Sequence, residues 1–115
     1  MNPQKGEIWI IDFDPTTGSE INKKRPAVVI GSDAIGILPL RIIVPITSWQ
    51  DKFSNAPWLV KIPAAQKNGL SNDSAADSFQ IKSVSIKRFK KKLGVISAEK
   101  VKEVIMGVMI CLGVK

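Results

Sequence analysis

With 115 residues, 44% of them hydrophobic and 23% charged, the chain is sized and composed for one folded domain spanning 1–115 rather than a disordered segment. Seventeen Lys and Arg against ten Asp and Glu leave a charge of +7, which suits a polyanionic partner such as nucleic acid. There is no histidine and one cysteine, Cys111. These absences exclude a Ser-His-Asp triad, a Cys-His dyad, a His/Cys zinc site and an internal disulfide, and they fit a reducing, cytoplasmic setting.

The first stretch, MNPQKGE, lacks the apolar centre of a secretion signal, and no run reaches ~18 apolar residues, so neither export nor a membrane span is expected. Residues 7–13 (EIWIIDF) predict a strand that stops at Asp14-Pro15, and residues 16–19 are turn chemistry. Further strands are expected over 27–30, after Arg25-Pro26, over 41–46, ending at Thr47-Ser48, and over 58–62 between two prolines. Residues 64–73 form a polar connection with one helical turn. Residues 78–84 alternate Phe79 and Ile81 with polar neighbours, the pattern of a half-buried strand, and 92–96 predict a short one. The end differs in kind. Ser97 is an N-cap, Val101, Val104, Ile105, Val108, Met109 and Leu112 recur at helical spacing, and Gly113 stands where a helix stops. This places Cys111 on the buried side of the helix as an inert residue. Short strands with sharp turns followed by one amphipathic helix predict a small, mainly β fold, a curled sheet or barrel with the helix packed on it.

Positive charge gathers in two places. Lys23, Lys24 and Arg25 close the loop after the first strand, and Lys82, Lys87, Arg88, Lys90, Lys91 and Lys92 crowd into eleven residues that hold no acid. Such clusters either track phosphates or simply form a solvated face. Trp49, which follows a strand end, is either a base-stacking residue or a partly buried anchor at a loop or oligomer contact.

Four segments, 12–20 (DFDPTTGSE), 24–30 (KRPAVVI), 44–48 (VPITS) and 76–85 (ADSFQIKSVS), read together, resemble the PemK/MazF family of toxin endoribonucleases, the messenger-RNA interferases of bacterial toxin–antitoxin pairs. The likeness runs from about Lys5 to the C-terminal helix. It implies an SH3-like β-barrel with a C-terminal amphipathic α-helix, working as a homodimer. It also implies metal- and cofactor-free cleavage of single-stranded messenger RNA, with neutralisation by a cognate antitoxin that carries an acidic disordered segment. By this resemblance the catalytic arginine and threonine fall on Arg25 and Thr47, the serine and acid of the G-S-E motif on Ser19 and Glu20, and a base-reading glutamine on Gln80. Phe79 stands where many relatives carry an acidic residue. The RNA-binding set adds Lys23, Lys24, Trp49, Lys82, Lys87 and Arg88.

The chemistry is consistent with the absence of histidine. RNA supplies its own nucleophile, the 2′-hydroxyl, and an arginine is a rigid fork of donors that matches a phosphorane. Deprotonating an arginine at neutral pH costs about 7 kcal/mol, which leaves the general base open between Arg25 and Glu20. Two other readings share the barrel: a toxin that traps a topoisomerase and cuts nothing, and a non-catalytic RNA- or protein-binding module.

Overall fold

The computed structural model describes residues 1–13 and 24–114. Seven strands, β1 (Glu7–Asp12), β2 (Lys24–Val29), β3 (Leu40–Ser48), β4 (Leu59–Ile62), β5 (Ser74–Asp77), β6 (Lys82–Ser85) and β7 (Phe89–Val95), form one antiparallel sheet, followed by helix α1 (Ala98–Leu112). The strand order is β4-β5-β3-β2-β1-β7, with β6 also paired to β3. The sheet curls without closing among the described residues, so barrel describes it only loosely.

The apolar strands are buried on both faces, which is why they read as continuous hydrophobic runs rather than clean alternations. One side chain in two points toward α1: Ile8, Val28, Val44 and Ile46 meet Val101, Val104 and Val108. Their neighbours Trp9, Ile11, Ala27, Val29 and Ile43 fill the hollow of the curl with Val84 and Phe89. Trp9 and Phe89 meet edge to face at 5.6 Å, the geometry that aromatic quadrupoles favour.

Hydrogen bonds tie the N-terminus to this frame. Glu7 Oε1 accepts from Gln4 N at 3.0 Å and Trp9 Nε1 at 2.9 Å, and Glu7 Oε2 pairs with Lys92 at 3.1 Å. Burial pushes the Glu7 carboxyl up, but these donors and the lysine charge outweigh it and hold the pKa below its ordinary value. Arg41, nearly buried, donates to the carbonyls of Pro3, Leu38 and Leu40 and to Asn2 Oδ1, all at 2.8–2.9 Å.

Helix α1 begins and ends as its sequence predicts. Ser97 Oγ accepts from Lys100 N at 3.0 Å, and Gly113 takes a left-handed φ of 76° that lets Val114 N reach Met109 O. Leu112, expected on the apolar face, is 70% exposed at the helix end. Cys111 is half-buried rather than buried. Burial and, after it, the Asp77 carboxylate push its thiol pKa up, which keeps it protonated and unreactive near neutrality.

The expected strand over 78–84 is not one strand. β5 ends at Asp77, residues 78–80 make a 3-10 turn, and β6 starts at Lys82. Asp77 Oδ1 accepts the Phe79 N–H at 3.2 Å, and Ser78 is fully buried with its hydroxyl donating to Val104 O at 3.0 Å. The polar residue therefore goes in and Phe79 goes out, the reverse of the alternation. β5 itself (SAAD) has no β-branched or aromatic residue to announce it, yet its first three residues are buried. β2 starts three residues earlier than expected and β3 runs two residues later, so Arg25 and Thr47 both lie inside strands. The 64–73 connection holds a turn at Gly69, where φ is +72° and an added Cβ would collide with the Leu93 carbonyl.

The helix packs tightly against the 78–80 turn at Gly107. A Cβ there would sit 2.6 Å from Ser78 Oγ. Gly107→Ala, which raises helix propensity, should nevertheless destabilise the fold by about 1–3 kcal/mol through overpacking. Thermal denaturation that shows a stabilised Gly107→Ala protein would contradict this packing.

Candidate RNA-binding and catalytic site

β3 changes partners along its length. Its first half pairs β6 on one side, its middle pairs β2 on the other, and its last residues, Ile46–Ser48, pair β5. The β2–β3 ladder runs Val29–Ile43, Val28–Val44, Ala27–Pro45 and stops there. Continued one step it would set Pro26 against Ile46, and one more would set Arg25 against Thr47. Instead Lys24–Pro26 keep only β1, while β3 keeps β5 on its other edge. Pro26 and Pro45 flank the break, and each removes an N–H donor from a strand there. The result is a fork in the sheet with Arg25 on one prong and Thr47 on the other, and both line the cavities that open there.

Space opens on both faces of the fork. On the α1 side a cavity of about 420 Å³ is walled by Ile10, Pro26, Ile46, Ser48, Leu70 and Leu93, among others. On the opposite side a cavity of about 350 Å³ is walled by Phe13, Pro45, Asp77, Gln80 and Lys82. Arg25, Ile46 and Thr47 line both. Lys82 Nζ lies 5.3 Å from the centroid of the Phe13 ring, a cation–π distance that holds its charge over the second cavity.

The chain has three arginines, and their surroundings separate their roles. Arg41 is saturated by carbonyl acceptors. Arg88 donates to the Asp12 carbonyl at 3.1 Å and so braces the end of β1. The exposed Arg25 guanidinium has no hydrogen-bond or ion-pair partner among the described residues. A donor fork held in a strand, open to solvent and unpaired, is available to an anion.

The other expected site residues divide. Lys24 lines the first cavity, and Gln80 and Lys82 line the second. Gln80 is on the 3-10 turn, not in a strand. Lys87 and Arg88 sit on another turn, 86–88, and line neither cavity. Trp49 belongs to a different place: it meets Phe53 edge to face, lies under Lys61 Nζ at 5.1 Å, and helps wall a groove with Met106 and Ile110 of α1. Ser19, Glu20 and Lys23 lie outside the described residues.

Asp77 and Phe13 were not singled out in the sequence. Asp77 stands in a quoted motif, and only its turn geometry brings it to the cavity. Phe13 reads as the tail of a strand. Among the described residues no three His, Cys, Asp or Glu side chains gather as a metal-ligand group, and no helix is long and apolar enough to cross a membrane.

Comparisons with known proteins identify the family and match the overall fold. The chain is 37% identical over 101 residues to the endoribonuclease MazF9 of Mycobacterium tuberculosis, covering 83% of each. Its fold matches the crystal structure of MazF from Deinococcus radiodurans with a TM-score of 0.78, 26% identity and 98% of both chains covered. It matches a crystal structure of the MazE–MazF complex from the same organism with a TM-score of 0.80 and 25% identity, covering 100% of this chain and 99% of that one. Residues 4–112, which include both prongs of the fork, match the family model described as PemK-like, MazF-like toxin of type II toxin–antitoxin system, and the chain belongs to that family.

Proposed function

We propose that this MazF-type endoribonuclease toxin lays single-stranded messenger RNA across the fork and cuts it without a metal, using the RNA's own 2′-hydroxyl as nucleophile. The products are then a 2′,3′-cyclic phosphate and a 5′-hydroxyl. The observation that carries this reading is the unpaired Arg25, which with Thr47 lines both cavities. A phosphodiester at that junction places one flanking nucleotide toward each cavity.

In this arrangement Arg25 directs its donors at the charge that develops on the non-bridging oxygens. A preorganised donor of this kind, shielded from water by bound RNA, contributes roughly 3–4 kcal/mol. Thr47 adds a hydroxyl hydrogen bond to the same phosphate, neutral and therefore weaker. The general base is Glu20 or Arg25. Asp77 is the described carboxylate that lines the same cavity as Arg25, and it already accepts the Phe79 N–H. Lys24 and Lys82 attract the backbone on either side of the cut, while Ser19 and Lys23 extend the charged and polar rim. The Gln80 amide has both a donor and an acceptor for a base edge.

The same cations attract carboxylates, so a cognate antitoxin with an acidic, disordered segment would occlude the fork. The solved MazE–MazF complexes of a relative support an antitoxin partner. A homodimer is supported by apolar surface that one copy leaves uncovered: Ile37 is 92% exposed and Leu112 70%.

Arg25→Ala should slow cleavage at least ~100-fold with the fold intact, and Arg25→Lys should recover little, because a point charge cannot replace the fork. Thr47→Ala should cost less than Arg25→Ala. Single-turnover rates check both, and a folded Arg25→Ala protein that turns over like the wild type would refute the assignment. Competition between antitoxin and an uncleavable RNA tests occlusion: simultaneous, independent binding would contradict it. Sedimentation equilibrium tests the dimer, which a 12.6 kDa species at micromolar concentration would contradict.

A further inference from the structure

Phe79 is 67% exposed although it sits between two structured strands. The turn that carries it is held on every side. Ser78 N donates to Trp58 O at 3.1 Å, Ser78 Oγ donates to Val104 O at 3.0 Å, and Asp77 Oδ1 accepts the Phe79 N–H at 3.2 Å. Pinning Ser78 against α1 leaves the next side chain no place in the core. The phenyl ring is therefore presented to solvent by a fixed backbone, not by a loose loop.

Its surroundings say what it is presented to. Asp77 before it and Gln80 after it both line the second cavity, which also holds Arg25 and Thr47 and carries Lys82 over Phe13. An exposed π-face beside a cationic cavity and an amide able to read a base edge is the set of groups that single-stranded nucleic acid requires. A protruding aromatic also suits a pocket on a protein partner, and what favours a base here is the cationic cavity and the Gln80 amide beside it. We infer that Phe79 is a base-stacking platform for one nucleotide flanking the scissile phosphate, with Gln80 reading a base edge beside it. This rests on the RNA-cleaving assignment of the fork. Because every base has a π-face, Phe79 contributes affinity at that nucleotide with little choice among bases, and selectivity falls to Gln80.

The test uses the full chain and a short single-stranded RNA made uncleavable by a 2′-deoxy group at the cut site, with a series in which one base at a time is removed. On intact RNA, Phe79→Ala should weaken binding about 5- to 150-fold, the loss of one stacked base, whereas Phe79→Trp should bind like the wild type. At one abasic position, and only there, wild type and Phe79→Ala should bind equally. On cleavable RNA the loss should appear in KM more than in kcat. Equal binding of intact RNA by both proteins would overturn the inference. So would an undiminished Phe79→Ala deficit on every abasic RNA, or a deficit confined to antitoxin binding. A wild type that neither binds nor cuts RNA would overturn the function assigned to the fork as well. A wild type that cuts RNA while Phe79→Ala is indistinguishable from it would overturn the role of Phe79 alone.

Discussion

The candidate site depends on one constraint: the β2–β3 ladder ends before it reaches Arg25 and Thr47. The β2–β3 ladder ends at Ala27–Pro45, beyond which β2 pairs only with β1 while β3 keeps β5 on its other edge. Arg25 and Thr47, which a continued ladder would have set opposite each other, instead line the cavities at its open end, the site proposed for RNA. Two prolines flank the break, where a residue without an N–H does least harm to a sheet. The R-P and P-I-T-S segments are 20 or so residues apart in the chain, but they are the two prongs of one structural event.

The basic character of the chain resolves into separate tasks in the same way. Of the eleven-residue cationic run, Lys82 serves the second cavity. Arg88 braces β1, and Lys92 pairs with Glu7 across the β1–β7 ladder. Lys90, Lys91 and Lys92 lie on β7, an end strand of the sheet, where a row of charges discourages pairing with another chain. Net charge alone suggests one broad phosphate-binding surface. At the cavities that charge is Arg25, Lys24 and Lys82, while β7 carries its lysines at the edge of the sheet.

Sequence patterning revealed the strands whose burial leaves a signature, such as the isoleucine-rich β1 and the β-branched β3, and the helix with its Ser97 and Gly113 ends. It missed β5, because a buried Ser-Ala-Ala segment has the composition of a loop and is a strand only through its neighbours β3 and β4. It misread 78–84, because a local hydrogen bond from the Phe79 N–H to the Asp77 carboxylate competes with the strand and inverts which residues are buried. For the site, Arg25, Thr47 and Gln80 came from motif resemblance. That Arg25, Thr47 and Gln80 line one cavity could not be read before the paths of β2, β3 and the 78–80 turn were known. Trp49 could be read from its place after β3 as a base-stacking residue or as a partly buried anchor, and Asp51–Asn55 and α1 gather it into a groove apart from Arg25 and Thr47.

The central claim is that the RNA attacks itself, with Arg25 stabilising the phosphorane and no metal taking part. Substituting a single 2′-deoxy nucleotide at the mapped cut site of a short RNA, with excess chelator present throughout, tests this most directly. The account predicts that the all-ribose strand is cut in chelator to 2′,3′-cyclic phosphate and 5′-hydroxyl ends, while the substituted strand stays whole at that position. Cleavage of the deoxy-substituted bond, or loss of all cleavage on chelation with recovery on adding a divalent cation, would contradict it.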